Sequence, residues 1–267
     1  MSRIKERFEV LRSKNEKALT VFITAGDPDL ATMRKLFSVI EKSGADIIEL
    51  GVPFSDPIAD GPVIQKSALR ALKSGTTLKK IIQLVAEIRK DSQLPIVLMT
   101  SFNPVFVYGQ ERFVDDAVRA GVDGIIVPDL PPEESVLLEN YAHQKGLDMI
   151  YLLAPTSTED RVRMVGQRTR GFIYYVSLTG ITGTRNALAT GLQQKVDAIK
   201  RMTPLPVLVG FGVSNPEQAG EAAKISDGVI VGSAVVRLIE ECHDADEREQ
   251  KVSRFVKDLK QAITNTK

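Results

Sequence analysis

Ile47-Ile48-Glu49-Leu50-Gly51-Val52-Pro53-Phe54-Ser55-Asp56-Pro57-Ile58-Ala59-Asp60-Gly61-Pro62 holds one complete change of secondary structure. Its apolar opening reads as a short buried strand that ends in a carboxylate. A loop rich in proline, glycine and aspartate follows. Pro62 then opens a helix, at a position where its missing N–H would be unpaired in any case. The same strand-loop-helix unit recurs along the chain. Strands are expected at 19–23, 46–50, 96–99, 124–127, 149–153, 172–176, 207–209 and 229–231. Most are continuous β-branched-rich runs rather than alternating ones, as strands buried on both faces are. Amphipathic helices are expected between them, at 29–42, 62–71, 78–90, 111–120, 133–145, 159–168, 191–201, 216–225 and 234–241. The clearest start signal is Ser157 or Thr158 as N-cap, with Glu159 and Asp160 in the first turn, where acids suit the helix dipole.

Eight such repeats favour a closed (β/α)8 TIM barrel over an open doubly wound sheet. A dinucleotide-binding open sheet would carry G-x-G-x-x-G after its first strand, and Thr24-Ala25-Gly26-Asp27-Pro28 does not match that pattern. Two helices fall outside the repeat. Residues 4–12 place Ile4, Phe8 and Leu11 at helical spacing and are expected to plug the barrel bottom. Residues 252–263, with Val252, Phe255, Val256, Leu259 and Ile263, are expected to close the outer ring. Length alone suggests about two domains, but a barrel of about 250 residues is one. A single barrel domain over residues 1–267 is therefore expected.

The chain is 43% hydrophobic and 26% charged, with a net charge of +1, so nothing points to nucleic acid or to an anionic membrane surface. No apolar run approaches the roughly 18 residues that span a bilayer. The opening Met1-Ser2-Arg3-Ile4-Lys5-Glu6-Arg7 has no apolar signal core, and a cytoplasmic location is expected. The single cysteine, Cys242, allows no internal disulfide. It lies in a charged segment and reads as a surface thiol. His143, the only histidine besides His243, reads as solvent-facing on a helix. No metal site is expected from these residues.

In a barrel of this kind the chemistry lies at the C-terminal ends of the strands. Alternation places Ile47 and Glu49 on one face of the second strand and Asp46, Ile48 and Leu50 on the other. A carboxyl pointing into the mouth among apolar neighbours has a raised pKa and can both give and take a proton near neutrality. The bland alternative is that Glu49 pairs with a basic residue across the rim. Asp60, just before the next helix, is the second candidate acid, whereas Asp56 reads as an ordinary turn residue. The last two strands run into Gly210-Phe211-Gly212-Val213-Ser214 and Gly232-Ser233-Ala234, where glycines and helix-start amides suit a phosphate. With no Lys or Arg in either loop, backbone amides would supply the hold. The loop Ser177-Leu178-Thr179-Gly180-Ile181-Thr182-Gly183-Thr184-Arg185 suits either a mobile lid or a plain connection. The sixth strand, ending Tyr174-Tyr175-Val176-Ser177, offers no lysine for a Schiff base. A substrate broken here at carbon must supply its own electron sink.

At these residues the chain resembles the tryptophan synthase alpha subunit family. The motifs that carry the likeness are Ile48 through Pro57, Ala59-Asp60-Gly61-Pro62, Pro128-Asp129-Leu130-Pro131, Tyr175-Val176-Ser177 with Thr179-Gly180-Ile181-Thr182-Gly183, and Gly210-Phe211-Gly212. The resemblance implies retro-aldol cleavage of indole-3-glycerol phosphate to indole and D-glyceraldehyde 3-phosphate in L-tryptophan biosynthesis. It implies no cofactor on this chain and a partner beta subunit, carrying pyridoxal phosphate, in an alpha2-beta2 complex. Glu49 matches the family's general acid/base, and Asp60 matches the group that hydrogen-bonds the indole N–H. Tyr174, Thr182 and Gly183 match the pocket and lid; Phe211, Gly212, Gly232 and Ser233 match the phosphate cradle; Phe22, Met99 and Leu152 would wall the indole ring. Ser101-Phe102 stands where family members often carry two aromatic residues. The family's beta-contacting surface includes the loop holding Pro53, Asp56 and Pro57.

Three alternatives stay open at the level of sequence. A stand-alone indole-releasing lyase would need no partner. A sugar-phosphate isomerase or epimerase on the same barrel would need no aromatic pocket. A non-catalytic activating subunit would need neither Glu49 nor Asp60.

Overall fold

The computed structural model describes residues 2–57, 60–177, 185–210 and 212–266, with backbone alone for 185–190. Nine strands form its sheet: β1 (Ala18–Thr24), β2 (Ile47–Gly51), β3 (Ile96–Met99), β4 (Gly124–Ile126), β5 (Asp148–Met149), β6 (Leu152–Leu153), β7 (Ile173–Val176), β8 (Val207–Gly210) and β9 (Gly228–Val231). The helices between them are α2 (Leu30–Lys42), α3 (Pro62–Lys73), α4 (Leu78–Ile88), α5 (Phe102–Tyr108), α6 (Gln110–Ala120), α7 (Val136–Lys145), α8 (Glu159–Arg168), α9 (Arg185–Met202), α10 (Pro216–Ile225) and α11 (Ser233–Glu241). The chain begins with α1 (Arg3–Ser13) and ends with α12 (Ala245–Thr264).

All strands are parallel, in the order β5-β4-β3-β2-β1-β9-β8-β7-β6. The two ends of that order are consecutive in the chain. On one side of this segment the amides of Asp148 and Ile150 donate to Asp123 O and Ile125 O. On the other side, Met149 O and Tyr151 O accept from the amides of Arg170 and Tyr174. The expected fifth strand at 149–153 is thus two short ladders, and it closes a (β/α)8 barrel.

Apolar residues divide between the two surfaces of the sheet. Inside lie Ile47, Val97, Ile126, Ile150, Phe172, Tyr174, Leu208 and Ile230, with Met99 and Leu152 packed against them. Outside, Val21, Ile48, Leu50 and their counterparts meet the helices. In α2, Met33, Leu36, Phe37 and Ile40 recur at helical spacing and are buried, and Asp29 caps the helix by accepting from the Thr32 amide at 2.8 Å. Thr158, rather than Ser157, caps α8. The first helix does plug the bottom: Ile4, Phe8 and Leu11 belong to the inner cluster. The last helix joins the outer ring through Val252, Val256, Leu259 and Ile263, which are all buried.

Aspartates hold the strand starts. Asp46, Asp123 and Asp227 accept from the amides of Leu19, Ile96 and Val207 at 2.6, 2.8 and 2.9 Å. The same groups anchor the plug and the outer ring. Arg7 and Lys260 bind Asp46, while Arg3 and Arg89 bind Asp123.

Two sequence expectations are corrected. Cys242 is buried, 1% exposed, because Arg248 folds the turn between α11 and α12 inward by donating to the carbonyls of Cys242 and His243. His143 is partly buried rather than solvent-facing, with Glu139 3.9 Å from its Nδ1 and burial holding its pKa below the usual value. Both lie away from the strand ends that carry the site.

Candidate active site

Strand β2 aligns Glu49 with Phe22 on β1 and Val97 on β3. Glu49 is 1% exposed, and neither carboxyl oxygen has a hydrogen-bond partner among the described residues. Isolating a carboxylate in this way disfavours its charge. Burial, with a smaller contribution from the Asp60 charge, pushes the Glu49 pKa from 4.5 to about 8. Among the described residues the rim salt bridge considered for Glu49 does not form. Asp60 stands two residues before α3, and the Gln65 side chain donates to its carbonyl oxygen at 2.8 Å. Burial raises the Asp60 pKa as well. The Tyr174 phenol is raised far above its usual value, first by burial and then by the Glu49 charge.

These groups open onto a cavity of about 540 Å³. Phe22, Glu49, Asp60, Met99, Tyr174, Gly212, Gly232 and Ser233 line it, as the sequence expects. Two aromatic walls each rest on a glycine of a neighbouring strand. A Cβ on Gly51 would lie 2.4 Å from Phe22 Cζ, and one on Gly210 would lie 2.5 Å from Tyr174 Cε1. Only a hydrogen leaves room for either ring. At Gly212 the reason is conformational, since its φ of +79° suits glycine.

The glycine-rich loops after β8 and β9 meet in this cavity. Gly232 and Ser233 open α11, whose first amides point away from the helix body, and Gly212 faces them from the loop after β8. The same cavity carries the two acids. Phe22, Met99 and Ile64 pass from it into a smaller cavity of about 40 Å³, bounded by Pro53, Phe54, Pro57 and Pro128. Chemically, the raised pKa favours a proton on Glu49 at neutral pH, with the second acid, Asp60, lining the same cavity.

Not every expected residue falls here. Leu152 packs against the inner cluster but lines a different cavity, with Thr156 and Arg161. Thr182, Gly183 and Phe211, with the lid assignment for 178–184, lie outside the described residues. Ile64, Ile230, Arg237, Leu238 and Phe255 also line the main cavity and were not expected. For Ile64 and Arg237 a signal was available, because each sits within one turn or so of a helix start already assigned to the site.

The family model described as tryptophan synthase alpha chain matches residues 8–264. The chain is 54% identical over 263 residues to the tryptophan synthase alpha chain of Geobacter sp. (strain M21), covering 98% of each. The structure of tryptophan synthase subunit alpha from Legionella pneumophila str. Paris is 38% identical, with a TM-score of 0.92 and 99% of each chain covered. A chain of tryptophan synthase from M. tuberculosis, in its aminoacrylate-bound form, superposes with a TM-score of 0.88 at 32% identity, covering 98% of this chain and 100% of that one. With a buried acid and a second acid opening onto one cavity of a (β/α)8 barrel, and with relatives matching over nearly the whole length, this chain belongs to the tryptophan synthase alpha chain family.

Proposed function

We propose that this chain cleaves indole-3-glycerol phosphate to indole and D-glyceraldehyde 3-phosphate, in L-tryptophan biosynthesis. The observation that carries the mechanism is Glu49, a fully buried acid without a hydrogen-bond partner among the described residues, protonated near pH 7 and aimed into a cavity shared with Asp60. Glu49 gives its proton to C3 of the indole ring, which makes the ring a cationic electron sink. Asp60 accepts a hydrogen bond from the ring N–H and offsets that charge. The Glu49 carboxylate then takes the proton from the side-chain hydroxyl. The carbon–carbon bond breaks, its electron pair returns to the ring, and indole and the aldehyde leave. One proton is given and one regained, so the acid ends as it began. Among the described residues no lysine lines the cavity, which fits a route without an imine.

The ring sits between Phe22 and Tyr174 in this account, so the glycine under Phe22 matters. Gly51→Ala forces that ring into the cavity and is expected to lower kcat/KM about tenfold, with a modest loss of stability from overpacking. Steady-state kinetics and a thermal melt check both, and an unchanged kcat/KM would place the indole elsewhere.

A beta subunit carrying pyridoxal phosphate is the proposed recipient of indole, in an alpha2-beta2 complex, with a cytoplasmic location. Among the described residues no helix is long and apolar enough to cross a membrane. Phe106 and Val107 on α5, and Val136 and Leu137 on α7, are 62%, 76%, 50% and 53% exposed. They follow β3 and β4, beside the loop of Pro53, Asp56 and Pro57 that follows β2. Large exposed apolar side chains on these two helices support a docking role. Docking there would also order the loop that ends in Asp60, coupling partner binding to activity. The test is indole release from indole-3-glycerol phosphate by the chain alone and with a beta subunit, and tryptophan formation from serine in the mixture. Absence of indole under both conditions defeats the assignment; equal rates defeat the coupling.

A further inference from the structure

Among the described residues, Arg237 is the one basic side chain lining the main cavity, whose carboxyl groups are those of Glu49 and Asp60. It lies on α11, one turn beyond Ser233. Cα–Cβ bonds in a helix tilt toward its N-terminus, and residues i and i+4 share a face. The Arg237 side chain therefore leans back over the first turn, where the anion cradle opens.

Its local partners are otherwise engaged or unbound. On an isolated helix Arg237 would pair with Glu240 or Glu241, three and four residues on. Glu240 instead accepts from Arg70 Nη1 at 2.8 Å, and Arg70 also holds Asp27 through two bonds of 2.8 Å. Arg237 has no ion pair or hydrogen bond among the described residues, and it is exposed at the rim. The carboxyl that would neutralise it is tied to another helix.

A phosphate dianion entering this cavity meets two acids. Backbone amides at the start of α11 supply partial charges only, and they accept neutral oxygens as well as anions. A full positive charge is needed to favour the anion over an uncharged hydroxyl group. We infer that Arg237 selects the charge of the substrate's phosphate, its guanidinium bonding an outer phosphate oxygen while amides of the cradle hold the inner ones. The assignment rests on the phosphate-ended substrate proposed above and adds to it a side chain that the loop sequences lack.

Inorganic phosphate and indole serve as separate probes in calorimetric titrations of the full chain. Arg237→Gln is expected to bind phosphate about tenfold more weakly than the parent, and Arg237→Lys within about threefold of it. Indole is expected to bind all three alike. In turnover, the Gln variant raises KM for indole-3-glycerol phosphate about tenfold with kcat within twofold, and its kcat/KM loses part of its salt dependence. Phosphate affinity in the Gln variant within twofold of the parent overturns the inference. So does a parent that binds no phosphate, or an equal weakening of indole and phosphate. If phosphate binds through Arg237 but indole-3-glycerol phosphate is not turned over, the proposed reaction falls and the anion site stands.

Discussion

Glu49→Gln is expected to slow indole release about a thousandfold while making the protein more stable at alkaline pH. The first effect follows from the proton count: the amide keeps the shape of the side chain but neither gives nor takes a proton at C3. The second follows from burial. Between the ordinary carboxyl value of 4.5 and the folded value of about 8, the folded chain keeps a proton that the unfolded chain gives up. Stability therefore falls as pH rises through that window, by on the order of 5 kcal/mol in total. The amide has no such dependence. Melting temperatures of the two proteins should nearly coincide near pH 5 and separate by several degrees at pH 9, with the variant higher. Parallel melting profiles, or turnover within tenfold of the parent, would show that this carboxyl is neither isolated nor required.

Asp60→Asn is expected to lower kcat about a hundredfold with little change in KM. The amide oxygen still accepts from the indole N–H, so ground-state binding survives, but the charge facing the cationic ring is gone. Its pKa is raised by burial, so the active ionised form is lost on acidification above the usual carboxylate range. Loss of the Glu49 proton above about pH 8 supplies the alkaline limb. A bell-shaped pH profile results, and in the Asn variant the acid limb should disappear. A variant that keeps that limb would assign it to another group.

The barrel was legible because its strands are buried on both faces and therefore appear as unbroken apolar runs. The same uniformity hid the division of the fifth strand. Met149-Ile150-Tyr151-Leu152-Leu153 is apolar throughout, so its split into β5, paired with β4, and β6, paired with β7, leaves no mark in the residue pattern. Helix α5 was missed because Pro104 lies in its first turn and only Val105 is fully buried. The early start of α12 was missed because Ala245 to Lys251 is charged and lacks apolar spacing; Asp244 caps it by accepting from the Glu247 amide. One available signal went unused. Gly-x-Asp recurs at 44–46, 121–123 and 146–148, each glycine having positive φ. Two of those aspartates, Asp46 and Asp123, bond a neighbouring strand's amide.

Glu49 and Asp60 stood out because a strand end and a helix start are predictable places. Arg237 did not, because it lies a turn inside the helix rather than in the loop before it. Its direction depends on helix geometry, and its freedom on a pairing between Arg70 and Glu240 from distant parts of the chain. Cys242 and His143 were misplaced for a related reason: each is covered by an arginine or a helix that local polarity does not reveal.

The backbone on both sides of Ile150 and Tyr151 is already taken. With β1 paired to β9 and the fifth strand paired on either flank, the described strands leave no ragged margin for a foreign peptide to extend. Recruitment by strand addition finds no free edge among them. Whatever it docks must be recognised by side chains and loop shape, which puts the burden of selectivity on the same rim that admits the substrate.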